Sequence, residues 1–179
     1  MAADGALELR PLGPGDEAAF LVAHRNMAEH DAFVFGLGYV EGMAWAEYLK
    51  HRERARRGVD LAEGVVPSEL LVAVVDGELA GRVSVRFELN AYLARQGGHI
   101  GYGVLRSYRR RGYAGALLRA GLAMLAERGV DHALLTCDDD NAGSATVIEH
   151  AGGRLDGVVN DDNTGTPIRR YWVSTGGRA

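Results

Sequence analysis

The stretch from Ile100 to Leu118 constrains this chain more than any other. It reads I-G-Y-G-V-L-R-S-Y-R-R-R-G-Y-A-G-A-L-L: an apolar strand, a basic turn containing glycine, and a helix that opens directly from that turn. The first turn of a helix leaves backbone N–H groups without intrahelical partners, and the aligned peptide dipoles add partial positive charge there. A phosphate fits such a terminus. Gly112 removes the side chain that would hold a pyrophosphate off the backbone, and Ala114 is small enough to do much the same. Arg109, Arg110 and Arg111 are expected to supply screening charge around the entrance.

Composition decides how much weight that hexamer carries. With 25 glycines among 179 residues, about twice the usual share, a short Arg- and Gly-containing motif can arise by chance. The strand before it and the helix after it are what make it informative. The length fits one domain, 1–179, able to bury a core without metal or disulfide staples. A net charge of −4 disfavours a nucleic-acid partner, because the basic clusters Lys50–Arg57 and Arg106–Arg111 are local and offset elsewhere. The first reads as a solvated helix face. Cys137 is the only cysteine, so no intrachain disulfide forms, no metal site is expected, and a reducing cytoplasm fits. Met1–Gly5 lacks the basic and apolar pattern of an export signal, and no apolar run reaches membrane-spanning length.

Along the chain, Leu7–Leu12 alternates and reads as an edge strand, since Pro11 offers no ladder donor. Asp16 is placed to cap a helix carrying Phe20, Leu21, His24, Met27 and Ala28 on one face. His24 on that face reads as a satisfied, half-buried side chain. Asp31–Gly42 is an aromatic and glycine-rich loop, either folded on the core or lining a substrate. Glu41–Arg57 reads as a second helix. Leu70–Val75 and Leu79–Leu89 form a hairpin about Asp76-Gly77, and Gly98–Val104 is the strand before the basic turn. The helix beyond has an apolar stripe of Ala114, Leu117, Leu118, Gly121, Leu122 and Leu125. Val130–Cys137 is a strand, Asn141 caps a short helix with Ser144 at its third position, and Leu155–Val159 with Ile168–Val173 closes the chain as a hairpin.

Arg109-Arg110-Arg111-Gly112-Tyr113-Ala114 resembles the [Q/R]-x-x-G-x-[G/A] loop of the GCN5-related N-acetyltransferases, which bind acetyl-CoA. The likeness runs from about Leu70 to Val173, and Gly98–Ala114 is similar to a bacterial branch reading G-G-H-I-G-Y. The preceding V-x-P of the family is Val104-Leu105-Arg106 here. The resemblance implies an α+β fold in the order βααβββαβαββ, with a single mixed, mainly antiparallel central sheet flanked by helices. It also implies an enzyme moving acetyl from acetyl-CoA to an amine of a small molecule, an amino-acid derivative or a peptide, as monomer or homodimer. Tyr102, Gly103 and Val104 would lie along pantetheine, with the backbone N–H near Val104 facing the thioester oxygen. Asn141-x-x-Ser144 resembles the family's N-x-x-[SA] element, whose asparagine commonly bonds the pantetheine arm.

The proton-transfer groups are less legible. Where the family draws its base from the fourth strand, Gly98 and Ile100 stand here, and neither titrates. Glu88, His99 and Tyr102 are the candidate bases, although strand alternation turns His99 to the opposite face. Many relatives carry an acidic tyrosine at the position of Ile148. Cys137, Ser144 and Tyr171 are the substitutes within the sequence, and Cys137 also reads as a buried structural residue. The competing function is a non-catalytic acyl-CoA-binding module. A nucleoside-triphosphate site is disfavoured because the loop lacks G-K-[ST].

Overall fold

A computed structural model describes residues 6–176. The start Met1–Gly5, read above as lacking an export signal, lies outside the described residues. In chain order the elements are β1 (Leu7–Arg10), α1 (Glu17–Asp31), α2 (Trp45–Arg57), β2 (Ser68–Val75), β3 (Glu78–Arg86), β4 (Ile100–Val104), α3 (Tyr113–Glu127), β5 (His132–Asp138), α4 (Ala142–His150), β6 (Arg154–Asn160) and β7 (Pro167–Ser174). This is the expected βααβββαβαββ order. The strands are mainly antiparallel and the class is α+β. Among the described residues, no helix is long and apolar enough to cross a membrane.

The expectation of a single sheet needs correcting, because the strands hydrogen-bond as two: β1-β2-β3-β4 and β5-β7-β6. The described residues fall into two compact units, one of 6–84 with 102–117 and one of 85–101 with 118–176. In the second unit, His99 is bound twice to Leu134 of β5. Its N–H donates to Leu134 O at 2.7 Å, and its ring Nδ1 accepts the Leu134 N–H at 2.9 Å. An imidazole nitrogen therefore takes a strand N–H that would otherwise go to a backbone carbonyl. Gly98, at φ 65°, lets the chain enter that contact, and a Cβ there would stand 2.6 Å from Leu134 O.

Several boundaries shift for local reasons. β1 ends at Arg10 because Pro11 cannot donate. Asp16 stands at the N-cap of α1, but its side chain makes no cap bond there. It accepts from Gly13 N at 2.7 Å and pairs with Arg10 at 2.6 Å, stabilising the short 3-10 turn Pro14–Asp16. α2 starts at Trp45, four residues later than expected, after a turn that passes through Gly42 at φ 84°. Asp76 and Gly77 both have positive φ, 52° and 83°, as a two-residue hairpin of the primed type requires. β3 stops at Arg86, and a π-helical turn, Leu93–Gly97, occupies the connection to β4.

In the first unit the core forms around Phe20, which is fully buried. Its ring meets His24, Phe35, Tyr39, Trp45 and Tyr48 at centroid distances of 5.0 to 5.8 Å. Phe35 and Tyr39 come from the 31–42 loop, so much of that loop's aromatic content packs inward. Burying Phe20 contributes about 1.5–3 kcal/mol. His24 is half-buried and its Nδ1 accepts the Gly36 N–H at 3.2 Å, as its place on an apolar face implied.

Candidate active site

In the first unit, the functional geometry follows from which way the backbone of β4 points. Leu105 N donates to Ala80 O at 2.8 Å, so Leu105 faces β3. In an antiparallel ladder, facing and non-facing residues alternate. Gly103 therefore also faces β3, while Tyr102 and Val104 direct their N–H and C=O away from it. β4 is the last strand of its sheet, so Val104 presents its polar groups at an open edge. The Val104 carbonyl is taken there by Arg109 Nε at 2.9 Å. The Val104 N–H points the same way.

The side chains alternate too. Arg82 and Gly103 form a directly opposed pair, and the missing side chain of Gly103 leaves a gap beside Arg82. Phe33 fills it. A Cβ on Gly103 would stand 2.7 Å from the Phe33 ring and 2.8 Å from Met27 Cε. The Arg82 guanidinium lies 4.3 Å from the Phe33 ring centroid, and it also donates to Val34 O and, at 2.6 Å, to Ser84 Oγ. Phe33 thus seats the start of the 31–42 loop on the face of β4 next to Val104. Sequence reasoning missed Arg82, although one arginine inside an apolar strand was its signal.

The basic turn is built differently from the expectation. After a 3-10 turn at Arg106–Tyr108, Arg110 and Gly112 adopt φ 64° and 81° and α3 begins at Tyr113. The first intrahelical bond runs from Ala116 N to Gly112 O at 3.2 Å. The amides of Tyr113, Ala114 and Gly115 have no acceptor among the described residues. Nothing lies within 4 Å of a Cβ built on Gly112, so the approach to those amides is open. The Tyr113 hydroxyl is buried without a hydrogen-bond partner among the described residues.

Of the three arginines expected to screen charge, Arg109 does not stand free. It pairs with Asp31 at 2.6 Å, and Arg106 pairs with the same carboxylate at 3.1 Å. The hydrogen bond from Arg109, with that from Arg106, holds the Asp31 carboxyl below the ordinary carboxylate range. Arg111 donates to Ser107 O at 3.2 Å and lies over the Tyr108 ring. Arg110 is exposed and has no side-chain partner among the described residues. Among the described residues, the donors left free here are the backbone amides, Arg110 and the remaining N–H groups of Arg111.

In the second unit, Asn141 caps α4 as its position implied, its Oδ1 accepting Ser144 N at 3.0 Å. The residue is exposed. Ile148 is fully buried. Among the candidate bases, Glu88 lies past the end of β3 in an exposed turn, and Tyr102 is half-buried on β4. His99 is 6% exposed, burial lowers its pKa, and its accepting nitrogen is engaged by Leu134. With Nδ1 the acceptor, the neutral ring carries its proton on Nε2, which leaves no lone pair for general-base work.

Tyr171 donates to Glu149 Oε1 at 3.0 Å, and burial is the main cause that raises its pKa. The Cys137 thiol is buried and pushed up to about 11 by that burial. At neutral pH it is expected to resist iodoacetamide in the folded protein and to react fully once unfolded, which intact-mass measurement reads directly. Rapid native alkylation would mean that β5 opens at Cys137. No group of three or more histidine, cysteine or carboxylate side chains able to hold a metal occurs among the described residues.

Comparison with known proteins extends this geometry. Residues 29–152 match the family model described as acetyltransferase (GNAT) family. No match is found among curated proteins. The fold is shared with Mycobacterium smegmatis RimJ in complex with CoA-disulfide, at 22% identity and TM-score 0.69, covering 95% of this chain and 82% of that one. It is shared with a Salmonella typhimurium acetyltransferase that modifies the N-terminal serine of ribosomal protein L7/L12 (20% identity, TM-score 0.62, 94% of each chain). YncA from Salmonella typhimurium, a putative acetyltransferase with its cofactor acetyl-CoA, matches at 15% identity and TM-score 0.65, over 97% of this chain and 96% of that one.

Proposed function

Because this chain belongs to the GNAT family of acetyl-CoA-dependent acetyltransferases, we propose that it acetylates an amine of a small molecule, an amino-acid derivative or a peptide. One observation carries the reading: Val104 directs its N–H to the open edge of β4, and the same unit holds a helix start whose amides lack acceptors. The pyrophosphate would sit on the Tyr113, Ala114 and Gly115 amides, with Gly112 open beside them and Arg110 as the available cation. The Val104 N–H would bond the acetyl oxygen, where negative charge grows as the amine adds. Tyr102 and Gly103 would lie along pantetheine, and Asn141, in one motif with Ser144, would offer its amide NH2 group to the same arm.

Acetyl-CoA supplies an activated acyl carbonyl. The amine nitrogen forms a bond to that carbon, the carbon–sulfur bond breaks, the nitrogen loses a proton and the departing thiolate gains one. A primary amine like lysine's has a pKa near 10.4, so such an acceptor must arrive or become unprotonated. With the His99 acceptor engaged, Glu88 and Tyr102 are the candidate groups left to remove its proton. A thiol of pKa about 8.5 leaves tolerably well without a dedicated acid, which accommodates Ile148 in place of tyrosine.

The reading is tested by incubating the protein with acetyl-CoA and a panel of amines. Release of free thiol should depend on a particular amine, with a 42 Da gain in product mass, the weight that an acetyl group adds on replacing one hydrogen. CoA should raise the unfolding temperature where ATP and NAD do not. Protection by CoA with no thiol release over the whole panel would leave an acyl-CoA-binding module. Equal shifts from all three nucleotides would remove the site.

A further inference from the structure

We propose that Asp31, the closing residue of α1, is a positioning residue for acyl-CoA: by holding Arg106 and Arg109 it sets both the 109–114 loop and the peptide that follows Val104. The inference rests on the acetyl-CoA reading above and assigns that site a residue outside the family's loop motif. A carboxylate at the last position of a helix is electrostatically unfavourable, since the helix concentrates negative charge there. Here two arginines answer it. Arg109 Nη2 meets Oδ2 at 2.6 Å, and Arg106 Nη2 meets Oδ1 at 3.1 Å. The same Arg106 nitrogen takes the His30 carbonyl at 2.7 Å. The Asp31 side chain is only 17% exposed, against 40% for that of Arg109.

Arg109 then carries the constraint to the strand. Its Nε holds Val104 O at 2.9 Å, and the N–H of that same peptide, on Leu105, donates to Ala80 O at 2.8 Å. Both ends of the Val104–Leu105 peptide are thereby fixed, which holds Val104, the residue that carries the edge N–H, from its C-terminal side. On the other side of Arg109, the chain reverses through Arg110 and Gly112 into α3, so the position of the free amides follows from where Arg109 is pinned. Asp31 also begins the loop that seats Phe33 on Gly103, and Phe33 N donates to Met27 O at 3.1 Å. One carboxylate therefore joins the α1 terminus, the phosphate loop and the edge of β4.

The test compares Asp31→Asn, Asp31→Glu and Arg109→Lys with the parent and with Glu29→Gln, a control at an exposed position on α1. CoA affinity is measured by calorimetry below the unfolding temperature of each protein. Turnover is measured with acetyl-CoA and an amine the parent accepts. Asp31→Asn should weaken CoA about tenfold or more and lower kcat as well, the size expected from losing charge-assisted bonds. Asp31→Glu should recover part of both. Arg109→Lys keeps the charge but cannot span Asp31 and Val104, so it should lose more in kcat than in CoA affinity. A folded Asp31→Asn with parental affinity and kcat overturns the proposal. If that variant does not fold, Arg109→Lys with parental kcat overturns it equally. A parent that binds no CoA refutes the acetyl-CoA reading and this assignment together, whereas a parent that binds CoA beside an unaffected Asp31→Asn refutes the assignment alone.

Discussion

Replacing Gly112 by glutamate is expected to lower CoA affinity by about a hundredfold, equivalent to roughly 2.7 kcal/mol, while the far-ultraviolet helical signal stays near that of the parent. Gly112 precedes α3 at φ 81°, so any side chain there costs about 1–2 kcal/mol in backbone strain. The space is open, with nothing within 4 Å of a new Cβ, so no clash is added to the strain. A carboxylate at this end also suits the helix dipole, which offsets part of the cost. The same charge is what damages binding. It can turn onto the Tyr113–Gly115 amides as an internal ligand, and it repels a pyrophosphate approaching them. Gly112→Ala separates the two effects, because it carries the strain without the charge. Calorimetry should therefore rank the parent, then Gly112→Ala, then Gly112→Glu, with the gap between the last two narrowing as salt is raised. Unchanged CoA affinity in Gly112→Glu would place the phosphates elsewhere.

The order of elements was legible because each is written locally. The Asp76-Gly77 turn, the apolar stripe from Leu117 to Leu125, and the strand, basic turn and helix from Ile100 onward all signal themselves within a few residues. The partition into two sheets was not. Strand pairing joins residues far apart in the chain, as Leu134 and His99 show, and alternation alone says only which face a side chain takes. The arginine cluster shows the same limit. Arg109, Arg110 and Arg111 are identical as letters, yet Arg109 is spent on Asp31 and Val104 while Arg110 is not. Its partner lies 78 positions away, where no local pattern reaches. Asp31 did leave one trace, a carboxylate at the negative end of a helix, which predicts a nearby cation without saying which. The base stayed open for a related reason: candidates chosen by position on a strand were Glu88, which lies past the strand, and His99, whose lone pair is already engaged.

Asn141→Ala and Ile148→Ala, within one helix and its cap, are expected to fail in opposite ways. Ile148 is fully buried, and its Cγ2 lies 2.6 Å from where Gly153 would place a Cβ, with Ile148 backbone almost as near. A close-packed site of that kind cannot collapse readily around alanine, so Ile148→Ala should cost about 2–5 kcal/mol of stability. Asn141 is exposed, and as a cap through Ser144 N its loss costs about 0.5–2 kcal/mol. On stability, then, Ile148 dominates. Affinity should reverse the order. If the Asn141 amide bonds the pantetheine arm, as proposed, its removal takes away a contact that only the ligand-bound state makes, worth about 0.5–1.5 kcal/mol, or up to roughly tenfold in affinity. Ile148→Ala should bind acetyl-CoA nearly as the parent does at temperatures where it remains folded. Urea unfolding and calorimetry on the same three proteins give both rankings. Parental acetyl-CoA affinity in Asn141→Ala would make the asparagine a helix cap and nothing more, and weaker binding in Ile148→Ala than in Asn141→Ala would mean that α4 as a whole, not the amide of Asn141, shapes the cofactor site.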